Sequence, residues 1–480
     1  MLKFKLHTRR SAMLIAAVAA TVGFAAVSRA ANITWDPTAP GFNGNFNNDD
    51  ANFWNPLLSD GDGDYTKAAV GDTVIFGGVG GPVVVTPSPD TAPPSGHTTI
   101  FSITLNPNSG TSYELSGTPL YFTGSSRTVI TNTGNNTISS NIIINMNGNN
   151  DISTMLVNDT LTVGNIRMEG LAGGQGYGQL QKTGLGVLDV TGSLINGRPQ
   201  PTLRVAAGTL ILSGTGNQVA NAGLAFCINV SRYATLAGHA TVTLGQPSPV
   251  EIYGHLAPGH NGSPRESATD DSPTFGGLGT FSIARSGTAA TPIVTARFRP
   301  GSFLDLDLLY PDFNTDGSAN LNVDADGRKH DTFALTGTFN VLEIYSDTFN
   351  AAGDPLLTGA SININAFGDG PLAEGTYSII TLNNSAVTFT YSPDKDNVTA
   401  RIDDFTSYAD ADGRIFFPFF QIAEAPAGYD YTFELIRNGD SFTSFKGINL
   451  IVTETIIPEP ASLGLLGLGC GLMLLRRKAR

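Results

Sequence analysis

Gly186-Val187-Leu188-Asp189-Val190-Thr191-Gly192 is followed by Gly208-Thr209-Leu210-Ile211-Leu212-Ser213-Gly214, then by Ala234-Thr235-Leu236-Ala237-Gly238 and Gly254-His255-Leu256-Ala257-Pro258-Gly259. Each is a short run of strand-forming residues bounded by Gly, and the runs start 22, 26 and 20 residues apart. A recurrence in the twenties is what one rung of a β-solenoid needs. A single rung cannot bury its apolar side, whereas stacked rungs share a continuous interior. The reading makes one sharp demand: Leu188, Leu210, Leu236 and Leu256 must line up in a single interior column.

Working outward, residues 100–170 continue the pattern with Asn141-Ile142-Ile143-Ile144-Asn145 and Thr160-Leu161-Thr162-Val163. Asn and Gly mark the corners, where stacked Asn side chains can form ladders from rung to rung. Residues 260–291 are rich in Ser, Gly, Pro and Thr and read as a loop or excursion. From about residue 296 the strands lengthen and aromatics rise, as in Phe303-Leu304-Asp305-Leu306-Asp307-Leu308 and Tyr431-Thr432-Phe433-Glu434-Leu435. Their alternation leaves one face solvated. This stretch reads either as the end of the solenoid with a cap or as a separate β-sandwich. Composition agrees with an all-β chain. Among 480 residues there are 56 Gly, and only 14% are charged, against about 25% in an average protein.

The formal net charge is −14. Residues 1–30 carry five bases and no acid, and residues 458–480 carry four bases and one acid. The span between them therefore holds 18 bases and 40 acids, a net of −22. Nucleic acid is excluded as a partner for so acidic a body, and divalent cations suit it better. Of the two cysteines, Cys470 lies in an apolar tail, which leaves Cys227 as the single thiol of the body. No disulfide framework and no Cys-based zinc site is available to it.

The ends carry an address. Residues 1–30 run from a basic start (MLKFKLHTRR) through an apolar stretch to Ser28-Arg29-Ala30, ahead of Ala31. That is a helical secretory signal peptide cut between Ala30 and Ala31. The other end reads Pro458-Glu459-Pro460, then fifteen apolar residues bounded by Ala461 and Leu475, then Arg476-Arg477-Lys478-Ala479-Arg480. Fifteen residues make a helix of about 22 Å, short against a hydrocarbon core of about 30 Å. The basic cluster stays cytoplasmic, so this transmembrane helix halts export briefly with the body outside. The triplet, the Gly- and Leu-rich helix and the terminal Arg cluster resemble the PEP-CTERM sorting signal. The resemblance covers about the last 23 residues and implies an exosortase-type membrane protease as partner. It also implies transient inner-membrane contact and release or transfer of the body in bacteria that make exopolysaccharide.

A second resemblance lies in the body. Asn32-Ile33-Thr34-Trp35-Asp36, Ala51-Asn52-Phe53-Trp54 and Val70-Gly71-Asp72-Thr73-Val74-Ile75-Phe76 look like the opening of passenger domains with autotransporter-associated β-strand repeats. Residues 180–214 and Leu256-Ala257-Pro258-Gly259 are similar to the repeat itself. The resemblance implies a parallel β-helix-like body. Trp35 and Trp54 then plug the open end of the stack, or stack on sugar. The expected organisation is a signal peptide (1–30), a β-solenoid repeat region (31–295), a C-terminal β-rich region (296–457) and the sorting tail (458–480).

Chemistry is sparse. Asp312-Phe313-Asn314-Thr315-Asp316-Gly317 fits the first half of a calcium loop, with Asp312, Asn314 and Asp316 as oxygen ligands. Val323 stands where a bidentate Glu belongs, and the alternative is an acidic solvated loop. Residues 60–64 (DGDGD) are a second candidate. His255 and His260 flank the Pro258 turn and read as surface residues. Asp305 and Asp307 share one strand face, as a polysaccharide-cleaving pair would, but acidic pairs are common in this chain. No catalytic motif is present. The expectation is a non-catalytic secreted surface or matrix protein, structural or adhesive, at the cell envelope or in the extracellular matrix. Extracellular polysaccharide is a further partner. The alternative is a calcium-dependent polysaccharide-binding or polysaccharide-cleaving β-helix.

Overall fold

A computed structural model describes residues 32–35 and 45–46 and most of the span 73–455. Almost every described element is a strand, and the chain coils through three large parallel sheets. One coil shows the plan: Thr202–Val205 lies in the first sheet, Gly208–Leu212 in the second and Gln218–Ala220 in the third. First-sheet strands start at Ser102, Arg127, Ile152, Gln179, Thr202, Cys227 and Val250, between 23 and 27 residues apart. Each strand pairs in parallel with its counterpart one coil on, for example Leu203 with Ile228 and Ile228 with Val250.

The interior column is present. In the second sheet, Leu161 pairs with Leu188, Leu188 with Leu210, Leu210 with Leu236, and Leu236 with Leu256. Leu256 continues to Leu304, and Leu304 to Ile362. None of the four leucines singled out is more than 2% exposed. Burying each contributes about 1.5–3 kcal/mol, and none has enough neighbours within its own coil to do so. Parallel register is what sets the column: a slip of one residue would turn every leucine outward.

Corners satisfy the backbone where the ladder turns. Asn165 donates from its side-chain amide to Asn141 Oδ1 one coil away (2.8 Å) and accepts from Ser193 N–H. Asn136 donates to Asn132 Oδ1 and to Thr133 O, and accepts from Tyr113 N–H. At the corner between the first and second sheets, Lys182 points inward and is 1% exposed. Its ammonium donates to the carbonyls of Gly184, Gly186 and Ala207. Three acceptors match its three protons, while burial pulls its pKa down to about 7. Gly208 turns the same corner one coil on at φ +65°, and a Cβ there would collide with the Lys182 amine.

The stack does not end at residue 295. Val250–Ile252 pairs in parallel with 296–298, Ile293–Phe298 with Asn340–Ser346, and Asn340–Ser346 with the long strand Gly375–Tyr391. Two short antiparallel pairs, Asp312–Phe313 with Ala319–Asn320 and Thr348–Phe349 with Pro355–Leu356, fall between these strands in the chain. Gly375–Tyr391 turns the corner from third sheet to first, so one strand pairs in both. Only then does the pairing change. Phe445–Glu454 lies antiparallel to it, and Tyr429–Arg437 antiparallel to Phe445–Glu454. The sandwich alternative for 296–457 is thus replaced by more coils and an antiparallel closing pair. Aromatics fill this end, with Phe420 lying 6.2 Å from Phe298 and 5.9 Å from Phe433, centroid to centroid. The excursion also needs correction: Thr280–Arg285 is a third-sheet strand, the described stretch 264–279 before it is irregular, and residues 286–291 lie outside the described residues. Among the described residues no helix is long and apolar enough to cross a membrane. The expected signal peptide and tail helix fall outside the described residues.

Candidate functional site

Strand alternation sends every second side chain outward, and the outer sides of the second and first sheets differ. On the second sheet, Val187, Ile211, Ala237 and Ala257 form a small apolar stripe outside the main core. Residues 264–279 lie across this face as a strap. Arg265 N–H donates to Leu185 O (2.8 Å), and its guanidinium reaches Thr235 Oγ1 and Ser272 O. Further along, Asp305 accepts from Thr274 N–H (2.8 Å), His255 Nδ1–H (2.9 Å) and the Asn363 amide (2.7 Å). Asp307 accepts from the N–H groups of Gly276 (2.7 Å) and Gly277 (3.0 Å) and from the Asn365 amide (2.6 Å). Asp331 accepts from Gly279 N–H (2.7 Å) and Asp307 N–H (2.8 Å).

Asp305 and Asp307 do share a strand face, but both are buried and hold backbone amides. His255 and His260 are not surface turn residues either; both are buried. His255 stacks on Phe303 (4.6 Å, 14° between planes) with its second nitrogen 3.3 Å from Asp271. Burial alone would lower its pKa, but Asp305 and Asp271 outweigh burial and hold the imidazole above its ordinary value. His260 goes the other way: burial pushes it down, against the pull of Asp307 and Asp305. This is a fastening. The carboxylates beneath it, Asp305, Asp307 and Asp331, are buried and occupied, while Glu266, Asp270 and Asp271 of the strap itself lie toward solvent.

Among the described residues, no segment crosses the first sheet's outer side over the coils from Gln179 to Tyr253. Leu203, Val205, Ile228, Val230, Val250 and Ile252 point in. Thr202, Arg204, Cys227, Asn229, Glu251 and Tyr253 therefore point out. A shallow groove of about 570 Å³ runs over this face, lined by Gln179, Thr202, Arg204, Cys227, Asn229, Ser231, Arg232 and Tyr253. Gln179, Thr202 and Cys227 are register partners on three successive coils, so the groove follows the stacking axis. Arg204 Nε donates to Ser231 Oγ at 3.2 Å. The Cys227 thiol points to Pro249 O (3.2 Å), and burial drives its pKa up to about 11, which favours the protonated thiol.

Beyond the groove a charge ladder takes over. Arg297 reaches Glu251 (2.6 Å) and Glu343 (2.7 Å), one coil to either side, and Arg299 reaches Glu251 (3.0 Å). Burial would raise the Glu251 pKa, but the two arginines outweigh it and hold the carboxyl below its ordinary value. Arg299 also lies over the rings of Tyr345 (4.6 Å) and Tyr253 (5.5 Å). Sequence reading missed this face. Its signal, outward Arg and Tyr two residues apart on neighbouring strands, is visible only once the register is known.

The remaining sequence candidates lie elsewhere. Asp312 is placed as backbone, paired with Asn320; Asn314 and Asp316 lie outside the described residues, as do residues 60–64. So do Ala30, Pro458, Glu459, Pro460, Ala461, Leu475, Arg476 and Arg477. Trp35 pairs through its backbone with Phe76 in the first coil, and Trp54 is outside. Among the described residues no group of three or more His, Cys, Asp or Glu is arranged to hold a metal ion. No protein-family model matches the chain, and no curated protein matches it.

Proposed function

We propose that the chain is a non-catalytic structural or adhesive protein, exported and then sorted to the cell envelope or extracellular matrix through its C-terminal tail. The tail's partner is an exosortase-type membrane protease, and its membrane contact is transient. One observation carries the reading of the body: the carboxylates that might have served chemistry, Asp305 and Asp307, are sealed under a strap and bonded to its amides. A polysaccharide-cleaving pair must instead reach a sugar from solvent. What the body offers outward is a long, unbroken parallel stack, a form suited to an extended binding surface.

The test is fractionation of cells making the whole chain, with the mature termini read by mass spectrometry. The reading expects loss of residues 1–30, cleavage near Pro458, and recovery of the body with envelope or matrix. Recovery of the intact chain in the cytoplasm, or a deletion strain with unchanged surface and biofilm, overturns it.

A further inference from the structure

The groove on the first sheet has the wrong charge for the rest of the molecule. The chain carries a net charge of −14, yet the eight lining residues include two arginines and no carboxylate. Arg204 and Arg232 are both exposed. No ion pair joins either of them to a carboxylate among the described residues. Glu251 next to the groove is already held by Arg297 and Arg299. The other lining groups, Gln179, Asn229, Thr202 and Ser231, are neutral hydrogen-bonding side chains.

A second observation points to the same spot. At the corner between first and second sheets, five coils place glycine in the left-handed region: Gly110, Gly134, Gly184, Gly208 and Gly301. The coil carrying Arg232 places Tyr233 there instead, at φ +64°, the one non-glycine with positive φ among the described residues. A side chain in that conformation is strained, because its Cβ crowds the following carbonyl oxygen. What the position gains is a ring with the Arg232 guanidinium 4.9 Å from its centroid. Strain is thus retained where it holds a groove arginine.

We infer that this groove binds an anionic polysaccharide, with Arg204 and Arg232 taking its acidic groups and the amides and hydroxyls taking its sugar hydroxyls. The inference rests on the matrix-associated reading above and names its ligand class. Charge complementarity selects an acidic polymer over a neutral one. Coils repeat at about 4.8 Å, so the groove offers polar side chains at a spacing close to that of successive sugars in a chain. Carboxylated and sulfated polymers share the chemistry, and the test separates them. Arg232 contacts the polymer; Tyr233 is a positioning residue.

The experiment is affinity electrophoresis of the whole protein through gels holding polygalacturonate, dextran sulfate or neutral dextran. Retardation is expected in at least one acidic polymer and not in dextran, weakening with salt. Arg204→Ala with Arg232→Ala should weaken it by at least about tenfold, with unfolding unchanged. Tyr233→Gly should weaken it less and leave the residual binding as salt-sensitive as before. Arg167→Ala, exposed on the third sheet, should change nothing. Equal retardation in dextran, or a double variant that binds as the parent does, overturns the inference. If no polymer retards a protein that still fractionates with the matrix, the ligand assignment fails alone. If it neither binds nor fractionates there, both fail.

Discussion

The second and first sheets share one interior and one set of coils, yet their outer sides have opposite fates. On the second, a strap of sixteen residues, 264–279, covers the strands and consumes the acids beneath it. On the first, from Gln179 to Tyr253, no described segment crosses the strands, which present arginine, amide and tyrosine. A solenoid fixes which side chains point out; whether they become structure or surface depends on what crosses them. Charged residues at equivalent outward positions, Asp305 on the second sheet and Arg204 on the first, therefore do different jobs.

The largest effect should come from unfastening the strap. Asp305→Ala strands His255, Thr274 N–H and the Asn363 amide in a buried site. Removing one partner of a buried pair costs about 3–5 kcal/mol, to be read as a lower urea midpoint. A loss under about 1 kcal/mol would mean the strap is not held there. Leu236→Ala, in the column both faces share, should cost about 3 kcal/mol. It should do so without favouring either face in hydrogen exchange; protection lost over one sheet only would separate the two.

Two smaller effects lie at the corner joining the faces. Lys182 has a folded pKa of about 7 against 10.5 in the unfolded chain. Between these values the unfolded state binds the extra proton, so the Lys182 contribution to stability rises with pH, by at most about 1.4 kcal/mol per unit. Below pH 7 both states are protonated and the contribution is flat at its least favourable level. Lys182→Met should remove that slope between pH 7 and 9; an unchanged slope would show the amine is not its source. Tyr233→Gly should raise stability by about 0.5–1 kcal/mol, strain relief outweighing the added freedom of the unfolded chain. A lower melting temperature would mean Tyr233 is not strained.

The interior was legible because its signal repeats. Leu188, Leu210, Leu236 and Leu256 recur in short strands with Gly at their ends, and Asn at the corners, Asn141 among them, pointed to ladders between coils. The later coils were harder because the antiparallel pairs at 312–320 and 348–356 break the period, which made a sandwich an equal reading of the same alternation. The strap was invisible. Ser, Thr, Asp and Pro in 264–279 say that the segment is irregular, but nothing local says which face it crosses. Hence His255 and Asp305, fifty positions apart, were not read as a pair. The groove was hidden for the converse reason: Arg204, Arg232 and Tyr253 are ordinary surface residues until the register brings them together.

The most direct test measures stability and matrix association on the same two proteins, Asp305→Ala and Arg204→Ala with Arg232→Ala, well below their unfolding midpoints. The first should lose stability and keep association; the second should keep stability and lose association. If the strap variant loses association while still folded, or the arginine variant keeps it in full, the division between a fastened face and a working face is wrong.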